Sequence, residues 1–228
     1  MFTATPTDLL GSLNAVELKH APPVLYLEGR RDLLEVGARV AVVGSRKASE
    51  MGLARARKLT IKLVEHGVVV VSGLAAGIDT AAHTTAIARG GATIAVLGTP
   101  LDRTYPADNA GLQRKIGEEH LIVSQFCPGT AIRPQNFPIR NRTMALLSDA
   151  TVIVEAAEKS GAISQGWEAL RLGRELYIMQ AVVLDKSLSW PADLIGYGAQ
   201  VLSDQTLDQL LDSLPLRGAP MLDAAIPF

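Results

Sequence analysis

Three short clusters in this chain have the residue types needed to hold an anion. In Gly44-Ser45-Arg46 a long fixed charge stands beside the amides of a small-residue turn. In Ser72-Gly73-Leu74-Ala75-Ala76-Gly77-Ile78-Asp79 the glycines permit positive φ and close approach of the backbone. In Phe137-Pro138-Ile139-Arg140-Asn141-Arg142 two arginines follow a proline that suits the first turn of a helix. Cations there oppose the helix dipole. Local rules of this kind are expected to break at functional sites, so the conflict points to an external anion. Guanidinium forks bidentately onto phosphate oxygens, which makes phosphate the natural candidate. The competing structural reading pairs these arginines with carboxylates such as Asp79 or Glu155. Glu155, Lys159, Ser160 and Gly161 could line the same cleft, or form an ordinary strand-end acid and lysine pair. His83 reads as a packed helix residue rather than a general base. His20, His66 and His120 lack metal-ligand spacing, so neither a metal nor a cofactor is expected.

The elements that must position these clusters follow from the apolar pattern. Val40 to Val43 and Val68 to Val71 are continuous β-branched runs, each ending in a small-residue turn that leads toward helical sequence. Such runs suit strands covered on both faces, and the amphipathic stretch from Ser49 to Glu65 suits the crossover of a parallel pair. Ser49 is a plausible cap and Gly67 a plausible terminator. Further strands are expected at Thr93 to Leu97, Leu121 to Ser124, Thr151 to Val154, Glu175 to Met179 and Ala199 to Leu202. Helices are expected at Ile78 to Arg89, Asn109 to Glu119, Pro138 to Leu147 and Ser164 to Leu172. Val24 to Leu27 reads as an edge strand, and Thr7 to Lys19 as one or two short helices. Phe126 to Phe137, rich in proline, reads as a functional loop. The pattern implies an α/β protein with a doubly wound, mostly parallel sheet of about six to seven strands, an extended Rossmann-like fold. It is expected as one domain, with residues 1–39 an N-terminal extension, 40–202 the core and 203–228 a C-terminal tail. In a sheet of this kind the strand ends, glycine turns and helix N-termini converge on one anion-favouring edge.

Composition narrows the possibilities. The chain has 228 residues and is 48% hydrophobic, enough for one well-buried core. No run approaches the roughly 18 apolar residues of a membrane span, and the N-terminus lacks signal-peptide character, so a cytoplasmic protein is expected. The lone Cys127 excludes an internal disulfide and reads as a semi-buried loop thiol. A net charge of −1 advertises no nucleic-acid partner, yet residues 30 to 62 hold nine Lys or Arg against three acids, so a local basic face is expected. A nicotinamide site is disfavoured, because the first turn is Gly44-Ser45-Arg46-Lys47 and the second strand ends in Ser72-Gly73 rather than an acid. No P-loop occurs.

The segments VAVVGSRKASEMG, VVVVSGLAAGIDTAAH, ATIAVLGTPLDRTYPADN, NFPIRNRTMALLSDATVIVEAAEKSG and LRLGRELYIM, in this order, resemble the DNA-processing protein A (DprA/Smf) family. The resemblance covers roughly Leu13 to Met179. It implies a Rossmann-like domain that binds and protects single-stranded DNA and hands it to the recombinase RecA during natural transformation, and it implies homodimerisation. The family's binding residues carry over to Gly44, Ser45, Arg46, Ser72, Gly73, Gly77, Asp79, Arg140, Asn141, Arg142, Lys159, Ser160 and Gly161. From the flanks given, neither the helical nor the winged-helix domain that members often carry is expected, and Pro100, Gln125 and Gln180-Ala181 depart from the family pattern. With 4% aromatic residues, binding is expected to be mainly electrostatic, with Phe137 available for stacking. The alternative is a nucleotide sensor or hydrolase related to the LOG phosphoribohydrolases. Their Pro-Gly-Gly-x-Gly-Thr-x-x-Glu motif is matched poorly by Lys159 to Glu168, although Glu168 falls at the motif's acid. No nucleophile and base are paired by motif, so an enzyme is not expected. A scaffold whose site has decayed is a third reading.

Overall fold

The computed structural model of the chain describes residues 1–215. The strands are β1 (Phe2–Ala4), β2 (Leu25–Gly29), β3 (Arg39–Gly44), β4 (Val69–Ser72), β5 (Thr93–Leu97), β6 (Leu121–Ser124), β7 (Ala150–Glu155), β8 (Glu175–Met179) and β9 (Gln200–Leu202). They form one sheet in the order β1-β2-β6-β5-β4-β3-β7-β8-β9. Of the helices, α1 (Pro6–Leu10) and α2 (Ala15–His20) precede β2, and α8 (Gln180–Val183) and α9 (Trp190–Gly196) lie between β8 and β9. From β6 to β9 all pairs are parallel; β2 joins β6, and β1 joins β2, antiparallel.

The central strands are apolar on both faces because both faces are covered. Val40 and Val42 pack with α3 (Glu50–Glu65) and α4 (Ile78–Ala88), while Ala41 and Val43 pack toward α6 (Asn136–Leu147) and α7 (Gly161–Arg171). α5 (Ala110–Glu119) lies on the same face as α3 and α4, its Ile116 packed with Ala95 and Leu97. The chain runs outward from β3 through β4, β5 and β6, then returns to place β7 on β3's other side. The turn after β3 therefore sits where the winding reverses, the usual place for a ligand crevice in an open α/β sheet. Ser49 caps α3, its hydroxyl accepting from Gly52 N at 3.0 Å, and Gly67 follows the helix at φ +69°.

Several expectations need correction. The sheet has nine strands, not six or seven. The extra outer strand, β1, is short and exposed, so no core demands an apolar run there. Residues 1–39 supply β1 and β2 to the same sheet. The expected tail begins with α10 (Leu207–Ser213), whose Leu210 is fully buried among the α3 and α4 contacts; its residues 216–228 lie outside the described part. Cys127 is exposed, not semi-buried. Among the described residues no helix is long and apolar enough to cross a membrane.

Truncating a fully buried leucine removes its transfer energy and leaves a cavity, at a cost of about 2–5 kcal/mol. Leu210→Ala is expected to lower the urea midpoint accordingly, and a midpoint equal to wild type would show that α10 lies outside the cooperative core.

Candidate functional site

The loops after β3, β4 and β7 meet at the carboxyl edge, and backbone hydrogen bonds tie them together. Ser45 N donates to Glu155 O at 2.7 Å, and Ser45 O accepts from Ile78 N at 3.2 Å. Gly77, which precedes α4, stands at φ +79°, and a Cβ there would lie 2.3 Å from Ser45 O. Only glycine lets the two loops close on each other. The Glu155 carboxylate accepts from Ser49 N at 2.8 Å and from the Ser49 hydroxyl at 2.5 Å. It therefore anchors the start of α3, where the strand-end reading had paired it with a lysine.

Arg140 lies beneath this edge with only 5% of its surface exposed. Its Nη1 donates to Gly73 O at 2.6 Å and to Val96 O at 2.5 Å, and its Nε donates to Asn141 Oδ1 at 3.1 Å. The guanidinium thus fastens α6 to the ends of β4 and β5. A Cβ on Gly73 would fall 2.1 Å from Nη1, so the grip requires glycine. Asp79 is equally buried and accepts from Gly73 N at 3.1 Å and Ala75 N at 3.3 Å. Burial pushes the Asp79 carboxyl up, against the pull of Arg140 and the two amides. Burial also draws Arg140 down, Asp79 opposes that fall, and the charge of Arg46 adds to it. A guanidinium nevertheless keeps its proton. Two cations and one buried carboxylate therefore share the edge.

Arg46 is exposed. Its guanidinium lies over the Phe137 ring, 5.3 Å from the centroid, and Phe137 in turn meets Tyr105 at 5.3 Å with the rings tilted by 50°. A cation and two aromatic rings form a continuous row there, with Tyr105 48% exposed. Sequence reasoning passed over Tyr105; its one signal is the Tyr-Pro pair in the loop after the third core strand.

The remaining expected residues divide. Ser72 is buried and its hydroxyl donates to Val42 O at 2.7 Å, so it holds the edge from within. Asn141 Nδ2 donates to Gly161 O at 3.1 Å, tying α6 to the start of α7. The Ser160 hydroxyl accepts from Ala162 N at 3.3 Å as the α7 cap, and Lys159 is exposed on that turn. Arg142 departs from expectation: its Nε meets Glu168 Oε2 at 3.1 Å, and Arg171 approaches the same oxygen at 3.6 Å. Two residues along a helix turn a side chain by roughly 200°, so Arg142 faces α7 while Arg140 faces the strand ends. Glu168, the acid suggested by the hydrolase motif, is occupied by those two arginines.

His83 sits one helical turn below Asp79 and is fully buried. Its Nδ1 lies 2.7 Å from Thr93 Oγ1, whose own hydrogen goes to Val70 O at 2.8 Å, so Nδ1 carries the proton. Burial, reinforced by His120 and Arg140, lowers its pKa from 6.5 to about 3. It is a packed residue, as its sequence context suggested.

A doubly wound, mostly parallel sheet that exposes a guanidinium and aromatic rings at its carboxyl edge, without the dinucleotide glycines, defines an α/β protein of the Rossmann-like class. The chain belongs to the family described as DNA recombination-mediator protein A, whose sequence pattern matches residues 8–215. It is 41% identical over 187 residues to the DNA processing protein DprA of Streptococcus pneumoniae, covering 82% of this chain and 66% of that one. It is 40% identical over 211 residues to the protein Smf of Synechocystis, covering 91% of this chain and 52% of that one. It thus spans about half to two thirds of these relatives. The X-ray structure of the pneumococcal protein superposes with a TM-score of 0.78 at 34% identity, covering 92% of this chain and 77% of that one. DNA processing protein A from Helicobacter pylori, whose structure reports a single-stranded DNA binding mode, superposes with a TM-score of 0.77 at 26% identity, covering 93% and 97%.

The depressed pKa of His83 has a signed consequence for stability. Above pH 6.5 the imidazole is neutral in both states, and its burial carries no proton penalty. Below that, the unfolded chain takes up a proton that the folded chain refuses until about pH 3. Stability is therefore lost as pH falls, at up to about 1.4 kcal/mol per pH unit from this group. His83→Gln is expected to lose less stability than wild type between about pH 7 and about pH 5, read from urea midpoints. An equal loss in both proteins would show that His83 does not enter the fold neutral.

Proposed function

We propose that this chain binds single-stranded DNA along the carboxyl edge of its sheet. The observation that carries the reading is the row of Arg46, Phe137 and Tyr105 at an open rim, with the charge of Arg140 locked beneath it. A guanidinium meets phosphate oxygens, and aromatic faces accept bases of any identity, which is how sequence-tolerant strand binding is built. The single-stranded DNA binding mode of the Helicobacter pylori relative supports the same ligand. Protection of the strand, its transfer to RecA in recombination and action as a homodimer in the cytoplasm belong to the proposal through the family resemblance. Holding the polymer without transforming it is part of the same proposal, since among the described residues no nucleophile and base meet at the rim.

Within this reading the expected residues take different tasks. Arg46 contacts phosphate, with Lys159 a second exposed cation on the neighbouring turn. Gly44, Ser45, Gly77 and Ser72 shape the loops. Gly73, Asp79 and Arg140 form the support on which the rim stands, and Arg142 is taken up by Glu168.

Loss of one phosphate contact on a single strand lowers the slope of log K against log salt by about 0.7. Arg46→Ala is expected to show that change and to weaken oligo-dT binding in a polarisation assay. Phe137→Ala is expected to weaken it about tenfold, the value of roughly one stacked base, while leaving the salt slope in place. Wild-type affinity in Arg46→Ala would overturn the assignment.

A further inference from the structure

Helix α3 carries a second cationic face. Arg55, Lys58 and Lys62 recur at steps of three and four residues, which places them on one side of the helix. They line a cavity of about 240 Å³ whose opposite wall is formed by the ends of β8 and β9 and the residues that follow them. The floor between is apolar, from Leu59, Met179 and Leu202, and Gln180 and Ser203 stand at the two strand ends. The volume lies just below the roughly 300–1,000 Å³ of sites for drug-sized molecules, which limits the occupant to about one nucleotide. Both strands end here by their carboxyl termini, so the cavity opens on the same sheet edge as Arg46, beyond β7.

The charges around it are unevenly matched. Lys58 Nζ bonds both oxygens of Asp204, at 2.7 and 2.9 Å. Lys62 Nζ bonds Glu65 at 2.8 Å and also feels Asp208. Arg55 is half-buried, and its guanidinium has no hydrogen bond or ion pair among the described residues. A guanidinium with five donors and no acceptor, partly removed from water, favours an incoming anion. Asp204 already seats a carboxylate on Lys58 at the cavity's mouth. With side chains 62% and 81% exposed, that pair is weakly held and yields readily to a stronger anion.

We propose that this cavity is a subsite for a phosphate ester, with the phosphate taken by Arg55 and Lys58 and the attached base laid on the Leu59, Met179 and Leu202 floor. The ester comes from a DNA strand continuing past β7, in which form the subsite rests on the function proposed above, or from a free mononucleotide, in which form it stands apart. In either case Asp204 is the internal competitor that the ligand displaces.

The test uses the full chain as wild type, Arg55→Ala, Asp204→Asn and Arg46→Ala, titrated with labelled oligo-dT by polarisation and with thymidine monophosphate by calorimetry. Arg55→Ala is expected to weaken binding about tenfold, the loss of one charged hydrogen-bond partner, and Asp204→Asn to tighten it. Opposite shifts with the mononucleotide identify a free nucleotide as the source, and opposite shifts with the oligonucleotide alone identify the strand. Any other pattern overturns the subsite, including wild-type affinity in both variants or weakening in both. Should Arg55→Ala fail to fold, Arg55→Gln replaces it, and Asp204→Asn at wild-type affinity is sufficient by itself to overturn the proposal. The Arg46→Ala arm separates the two readings. Weakening there alone removes the subsite and keeps the rim, whereas opposite shifts at the cavity with no effect of Arg46→Ala keep the subsite and remove the rim.

Discussion

The carboxyl edge of this sheet depends on one buried guanidinium holding two carbonyls. Where parallel strands end, their last carbonyl groups lose ladder partners, and a buried carbonyl without a donor costs about as much as a lost hydrogen bond. Arg140 supplies donors to Gly73 O and Val96 O at once and is itself carried by α6, so a helix from one face of the sheet is fastened to strands whose own helices lie on the other. A charge in that position is unfavourable alone. Asp79 offsets it from the first turn of α4, and the amides of Gly73 and Ala75 hold Asp79 in place. Strand ends, helix starts and glycine turns are thereby parts of one electrostatic unit.

This unit explains the division of labour among the residues around it. The groups most deeply involved, Arg140, Asp79 and Ser72, have little surface left with which to meet a ligand. Arg46 and Tyr105 do: Arg46 stands at the edge because the Ser45 turn is tied to both β7 and α4, and Tyr105 joins it through Phe137. Preorganised backbone beneath an exposed cation reduces the ordering cost of binding. Rigidity at the loops and exposure at the tips have the same origin.

Much of this was legible in the sequence, and the rest was hidden for identifiable reasons. The parallel core could be read because strands buried on both faces must be apolar throughout, as Val40 to Val43 and Val68 to Val71 are. The cap at Ser49 follows from local chemistry, whereas the helix expected from Ser164 starts at Gly161 behind a Ser160 cap. The two arginines of the third cluster could not be told apart by type; their different fates come from helical rotation and from Glu168, 26 positions away from Arg142. Leu74 adopts φ +58° although it is not glycine, a conformation that a buried side chain and a hydrogen bond from Asn109 to its carbonyl sustain and that no local pattern announces. Tyr105 joins Phe137 only through folding, and β1 exists only because β2 offers it an edge.

The seating of Asp79 has a consequence for what the rim can discriminate. In many α/β proteins the amides of the first glycine turns close around a single phosphate and so measure one molecule's size and shape. Here the Asp79 carboxylate already accepts from the amides of Gly73 and Ala75, so under the proposed function a ligand is left with the outer cations and rings. If the chain binds a strand as proposed, recognition of that kind answers to charge and stacking at each nucleotide rather than to one molecule's outline, so a long strand could shift by a nucleotide and meet the same contacts.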